Sequence, residues 1–353
     1  MKTSNKYSDK KIVWFPNKLQ SFVQNSITAP IYVRIKPLNR CNHGCFWCVY
    51  HSDLTNMHSD MAVKDMLPPE KFKELLTDLK DIGTKAVTYS GGGEPLMYKG
   101  IEEFLQMTLD YNIDLSIITH GQFLVGEKAK ILGKGKWVRI SMDYWDGASI
   151  KESRRIRPEY FDTIINNISN FAESKDNECD LAINYIVTQK NYKHLFTISK
   201  KLKECGVENI RFSPMWCDNF FEYHEPIKNE VILELNNIRK ELQTDKFLIY
   251  DSYNQLNDKN IARRTYSKCY FNQIVPVVGA DQNIYTCHNQ AYSNDSIVGS
   301  IKEKSFKEVW FSKETQLFFD SFNCQKVCTG QCAADSKNKF ITELINSFGD
   351  NYV

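Results

Sequence analysis

Six short runs rich in β-branched and aromatic residues recur between Ile31 and Met215, each separated from the next by a segment of helical period. That alternation restricts the chain to repeated βα units, a parallel sheet with helices packed on it. The runs are IYVRIKP (Ile31 to Pro37), KAVTYS (Lys85 to Ser90), DLSIIT, WVRISMD, LAINYIVT and NIRFSPM. Between the first two, PPEKFKELLTDLKDIG sets Phe72, Leu75, Leu76 and Leu79 at the spacing of one helix face. Six strands fall short of the eight of a closed barrel. The expected fold is therefore α/β, a partial (β/α)6 TIM barrel over residues 31–260, preceded by an N-terminal arm at 1–30. After Asp251 the character changes: NDKNIARRTYSK is polar and connecting, and residues 261–353 form a small second unit holding five of the eleven cysteines.

The cysteines gain meaning from where the chain resides. No run reaches the roughly eighteen apolar residues of a membrane helix, and the polar N-terminus MKTSNKYSDKKIVWFPNKLQ lacks the apolar core of a secretory signal. A cytoplasmic location without membrane contact is expected. Thiols clustered in a reducing compartment serve metals or redox chemistry more often than disulfides. A net charge of +2 supplies no broad basic footprint, so no nucleic-acid partner is expected.

CNHGCFWC places Cys41, Cys45 and Cys48 in a C-x3-C-x2-C loop directly after the first strand. Such a loop can turn three thiolates onto one face of an iron–sulfur cube, leaving one iron without a protein ligand and open to a small molecule. Zinc is the competing reading, with His43 and His51 nearby. The spacing, the aromatic Trp47 before the third cysteine and the position at the end of a first barrel strand resemble the radical S-adenosylmethionine (SAM) superfamily. The resemblance implies a [4Fe–4S] cluster whose fourth iron is chelated by S-adenosylmethionine. It also implies reductive cleavage to a 5′-deoxyadenosyl radical, with Trp47 near the adenine.

Other motifs extend the resemblance. SGGGEP, ending the second strand, stands alone as a strand-to-helix turn, but it resembles the family's GGE motif and so assigns Gly92, Gly93 and Glu94 to the SAM amino group. ITHG, ending the third strand, leaves His120 either facing substrate or hydrogen-bonded in the core. The fourth strand's RISMD offers Ser141 and Asp143 to the ribose or methionine part of the cofactor. KESRRIR offers Arg154 to its carboxylate, against the plainer reading of a solvated charged face. Cys217 follows the sixth strand, at the rim where barrels place their chemistry, and is a candidate hydrogen-atom donor, or else a cysteine without a role.

Near the C-terminus, VPVVGADQNIYTCHN has the pattern of a hairpin able to bring Cys269 and Cys287 together, and Cys324, Cys328 and Cys332 follow in a C-x3-C-x3-C run. Zinc is again an alternative for four thiolates. This region resembles the SPASM and twitch extensions, which implies one auxiliary [4Fe–4S] cluster, because five cysteines cannot fully ligate two. Which cysteine is spare stays open.

The expected activity is hydrogen abstraction from a polar small molecule (a sugar, aminocyclitol or nucleotide) ending in dehydrogenation or epimerisation, with a flavodoxin- or ferredoxin-type electron donor. Only about thirty residues precede the first strand, where many peptide-modifying relatives carry a leader-binding domain. The alternatives are a maturase acting on a ribosomally made peptide and a non-catalytic iron–sulfur or zinc protein.

Overall fold

The computed structural model describes residues 8–55, 58, 60–253, 264–328 and 332–349. Its strands are β1 (Tyr32–Ile35), β2 (Ala86–Tyr89), β3 (Asp114–Thr119), β4 (Trp137–Met142), β5 (Asp180–Val187), β6 (Asn209–Pro214), β7 (Leu248–Asp251), β8 (Val277–Val278), β9 (Asn283–Tyr285) and β10 (Ile297–Ser300). Helices alternate with them: α1 (Pro16–Val23), α2 (Pro69–Asp81), α3 (Ile101–Asp110), α4 (Gly126–Gly133), α5 (Gly147–Arg154), α6 (Tyr160–Ser174), α7 (Leu195–Glu204), α8 (Phe220–His224) and α9 (Lys228–Leu242). The C-terminal region adds α10 (Phe306–Trp310), α11 (Lys313–Ser321), α12 (Cys324–Val327) and α13 (Asp335–Asn346).

All six expected strands form and pair in parallel, in sequence order. Helix α2 shows why the periodic segments fold as they do. Pro69 opens it, Glu70 and Lys80 complement its two dipole ends, and Gly83 leaves it at φ +81°. Its buried face is Phe72, Leu75, Leu76 and Leu79.

Two features differ from the six-stranded expectation. A seventh strand, β7, extends the parallel sheet beyond β6. Its four residues follow the largely polar α9, too short a run to stand out by pattern. The C-terminal hairpin β8–β9, with β10 beside it, also joins the same sheet, because β8 pairs in parallel with β1. The described residues thus make one ten-stranded sheet, ordered β10-β9-β8-β1-β2-β3-β4-β5-β6-β7. The physical reason is that β1 would otherwise be a bare edge with a row of unpaired backbone groups. The expected boundary near residue 260 lies outside the described residues.

The parallel sheet has two chemically distinct faces. Register sets Ile35, Tyr89, Ile117, Val138 and Leu181 abreast, and Ile140, Ile183, Ile210 and Ile249 above them. These residues share one buried cluster with the apolar sides of α2, α3, α4, α6, α7 and α9. On the alternate positions lie Arg34, Thr88 and Ser116 in one row and Ser141, Asn184, Arg211 and Tyr250 in another. Arg34, Ser141, Asn184, Arg211 and Ser213 are only partly buried although they sit mid-sheet. That face is polar, and helices do not seal it.

The N-terminal arm is not a loose lead-in. Phe22 of α1 packs on Tyr270 with ring centroids 5.0 Å apart, in a cluster with Ile274, Val275 and Ile341. Trp310, fully buried, stacks on Phe306 and donates its indole N–H to the Thr28 carbonyl at 3.0 Å. Among the described residues no helix is long and apolar enough to cross a membrane. Replacing Trp310 by Ala should cost about 3–5 kcal/mol. Chemical unfolding should show that loss as a lower midpoint, and a wild-type midpoint would mean the arm is not held through this contact.

Candidate iron–sulfur centres

The loop after β1 is held from two sides. On one side, Gly44 and Phe46 donate their backbone N–H groups to the carbonyls of Arg154 and Ser153 at the end of α5, at 2.8 and 3.1 Å. On the other, Gly93 and Glu94 donate to the carbonyls of Leu38 and Arg40 at 3.2 and 3.0 Å. This second contact explains the glycines of SGGGEP. A Cβ on Gly93 would overlap the Arg40 carbonyl, and one on Gly92 would strike Met61 and the Asn39 amide. The glycines therefore let the β2 loop lie against the backbone that leads into Cys41. They set the cysteine loop directly.

Arg154 and Asp143 form the floor beneath that loop. Arg154 Nε donates to Asp143 Oδ1 at 2.8 Å, with both side chains about 1% exposed. Arg154 also reaches the Ser141 carbonyl at 2.7 Å and lies 3.4 Å from His43 Nδ1. The other Asp143 oxygen accepts the Trp47 indole N–H at 2.6 Å. Burial opposes the Arg154 charge, but Cys45 and Asp143 beside it prevail and hold it protonated. Arg154 is thus enclosed by protein groups, which sets it beneath the loop and not on a solvated face.

Glu94 is nearly fully buried and already engaged. Its oxygens accept from Thr119 Oγ1 at 2.6 Å, His120 N at 2.9 Å and Leu96 N at 3.1 Å. Burial raises its carboxyl, against those three donors. His120 takes the hydrogen-bonded core reading: Nδ1 accepts from Gln122 N at 3.1 Å, so Nε2 carries the proton toward Asn42 Oδ1 at 2.8 Å. Its ring stacks on His43, centroids 3.7 Å apart.

Burial pushes the Cys41 and Cys45 thiols up to about 11 and 12, and raises Cys48 as well. Ligation by a cationic metal centre would reverse that cost. Cys41 Sγ accepts from His43 N at 3.4 Å, and Cys48 from the backbones of Tyr50 and His51, the N–H to sulfur pattern that suits cluster thiolates. Among the described residues no three His, Cys, Asp or Glu side chains close on a point as a single metal ion demands.

The C-terminal cysteines divide by their hydrogen bonds. Cys269 accepts from Asn338 Nδ2 at 3.3 Å and Cys332 from Ala334 N at 3.4 Å, while Cys287 takes the backbones of Gln290 and Asn289. Cys324 takes its own backbone N–H, and its buried thiol also points at the carbonyls of Tyr266 and Ser267, at 3.3 and 3.1 Å. Cys328 packs with Cys269 in the same small cluster. Cys217 is 3% exposed, and burial raises its thiol. The following Asp218 N bonds the Leu54 carbonyl at 3.2 Å, docking this segment on the first cysteine loop.

Sequence reasoning passed over buried Lys36, which donates to Tyr50 Oη at 2.6 Å, and Asn184 on the polar face of the sheet. The alternation in IYVRIKP does carry the signal, setting Tyr32, Arg34 and Lys36 on one face. Removing the Asp143 carboxylate (Asp143→Ala) should strand the Arg154 charge and cost about 3–5 kcal/mol. Gly93→Ala should sharply lower iron and sulfide per chain after anaerobic reconstitution. Full iron loading in Gly93→Ala would show that the glycine contact does not set the loop.

Comparison with known proteins agrees with this geometry. Residues 35–195 match the Radical SAM superfamily model, and residues 269–333 match SPASM, an iron–sulfur cluster-binding domain. A GTP 3′,8-cyclase of Helicobacter pylori (strain HPAG1) is 29% identical over 209 residues, 58% of this chain and 62% of that protein. The match to the enzyme of another strain covers 46% of its length, so this chain spans about half to two thirds of these relatives. The GTP 3′,8-cyclase of Aquifex aeolicus is 24% identical over 310 residues, 81% of this chain and 91% of that one. In fold, the chain resembles Streptococcus suis SuiB bound to S-adenosylmethionine, with TM-score 0.65 and 17% identity over 89% of this chain and 75% of SuiB. It also resembles anSMEcpe with bound AdoMet, TM-score 0.60 and 17% identity over 90% and 96% of the two chains. The chain carries a radical SAM domain over residues 35–195 and a C-terminal SPASM iron–sulfur cluster-binding domain over residues 269–333.

Proposed function

We infer that the protein is a radical SAM enzyme that removes a hydrogen atom from a polar, anionic small molecule of the nucleotide or sugar type, ending in dehydrogenation or epimerisation. The observation that carries this reading is the polar, partly open face of the sheet, where Arg34, Asn184, Arg211 and Ser213 occupy the alternate positions of β1, β5 and β6. Guanidinium forks and amides suit phosphate and hydroxyl groups. The relatives named GTP 3′,8-cyclase, which act on a nucleotide, support the same class.

The chemistry supplied by the bound cofactors is a 5′-deoxyadenosyl radical formed from S-adenosylmethionine at a [4Fe–4S] cluster. Cys41, Cys45 and Cys48 hold that cluster. A carboxylate has about four acceptor sites; three donors occupy Glu94, and the remaining lone pair serves a cofactor ammonium. Trp47, fixed by Asp143, offers a rigid ring to an adenine. Ser141 lines the polar face for hydroxyl contacts, and Arg154 acts through Asp143 and the loop. Cys217, kept as a neutral thiol, can return a hydrogen atom to a substrate radical. Cys269, Cys287, Cys328 and Cys332 hold the auxiliary cluster, with Cys324 spare, and a flavodoxin- or ferredoxin-type protein supplies electrons.

A second reading is peptide modification, favoured by the fold likeness to SuiB bound to precursor peptide SuiA and to anSMEcpe bound to a peptide. Release of 5′-deoxyadenosine against panels of nucleotides, sugars and precursor peptides separates the two. Turnover with peptides alone would overturn the small-molecule reading. If epimerisation is the outcome, product formed in D2O should carry deuterium, and Cys217→Ala should lose it. Cys324→Ser should keep the iron content of the wild type, whereas Cys287→Ser should lose the auxiliary cluster's share; equal losses would return Cys324 to the ligand set.

A further inference from the structure

Lys36 is 0% exposed, and among the described residues no carboxylate pairs with its ammonium. It ends the polar side of β1, and its Nζ donates to Tyr50 Oη at 2.6 Å and toward the Gly91 carbonyl at 3.4 Å. Tyr50 Oη is in turn 3.3 Å from His288 Nδ1. Each partner belongs to a different part of the site. Tyr50 lies two residues after Cys48, His288 directly follows Cys287, and Gly91 opens the glycine turn before Glu94. Aromatic rings enclose the chain: Lys36 Nζ is 4.2 Å from the Tyr50 ring centroid and 5.4 Å from that of Tyr292. Tyr50 also stacks on His58 at 4.3 Å.

A buried ammonium is costly unless anions compensate it. Burial, and then Arg34, pull the Lys36 ammonium well below the ordinary lysine range; Cys48, Asp281 and Cys287 act the other way, the two cysteines as cluster-bound thiolates. Two of the three belong to the two cysteine sets. A four-iron cluster gains negative charge on reduction, and a fixed cation in a low-dielectric setting stabilises that state.

We propose that Lys36, Tyr50 and His288 form a bridge between the two iron–sulfur sites, in which the Lys36 ammonium raises the reduction potential of both clusters and the Tyr50–His288 bond ties their loops together. Lys36 is on this view a positioning residue, acting through its charge and its bond to Tyr50. The bridge rests on the two-cluster reading given above, and the two fail separately. Wild-type protein holding well under about eight irons per chain would overturn that reading, whereas the potentials bear only on the bridge.

The test is an EPR-monitored redox titration of the full chain, reconstituted anaerobically, for wild type, Lys36→Met, Lys36→Arg and Tyr50→Phe. With iron and sulfide content equal to wild type, Lys36→Met should lower both midpoint potentials. A tenfold change in the oxidised-to-reduced ratio at fixed potential is expected, ~59 mV for a one-electron couple. Lys36→Arg, which keeps the charge, should recover most of that shift. Unchanged potentials in fully loaded Lys36→Met, or a shift at one cluster alone, would overturn the proposal. Should Lys36→Met fail to load iron, Tyr50→Phe decides: it keeps the ring and the lysine, and should lower the auxiliary potential. No change in Tyr50→Phe would equally refute the bridge.

Discussion

The ion pair between Asp143 and Arg154 governs the arrangement of the site. An ion pair with both partners about 1% exposed is weak evidence for net stability, because desolvation consumes much of the attraction. Its value is directional. Asp143 has two oxygens, and the pair uses one for Arg154 and the other for Trp47, while Arg154 spends its remaining donors on the Ser141 carbonyl and on His43. The end of β4, the end of α5 and the distant cysteine loop are therefore fixed to one another. The backbone contacts of Gly44 and Phe46 with the end of α5 follow from this, since Arg154 lies where that helix stops.

The glycine turn is the complementary constraint from above. Gly92 and Gly93 remove volume so that the turn can lie against the segment leading into Cys41, while Gly91 lets the turn fold back on Gly93. Glu94 then enters at a set height, its carboxylate held by Thr119 and His120. Between floor and glycine turn, the cysteine loop has little freedom to choose another course.

Much of this was legible in the sequence, for identifiable reasons. The strands of the parallel sheet are apolar on the helix side, and α2 and α6 carry whole buried faces, so period and length sufficed. The cysteine spacings and SGGGEP mark loops whose chemistry is local. What escaped was long-range. Arg154 looks like part of a solvated run because its partner, Asp143, lies across a turn and the loop it supports is more than a hundred residues away. Lys36 escaped because a lysine in a strand is ordinarily a surface residue, and its burial depends on the distant rings of Tyr50 and Tyr292. Cys324 cannot be told from its neighbours by spacing; its contact with the carbonyls of Tyr266 and Ser267 is visible only in the fold. β7 and the pairing of β8 with β1 depend on which edges the sheet leaves bare, which no local pattern encodes.

The pairing of β8 with β1 also has a consequence for how this protein can be dissected. A C-terminal truncation made to leave the barrel with one metal centre would strip the cover from β1. The amides and carbonyls of that strand would then face outward as a template for any extended neighbour, the route by which open sheets self-associate. The C-terminal region is thus also a lid on a sticky margin, and a shortened chain would be apt to clump before its chemistry could be read.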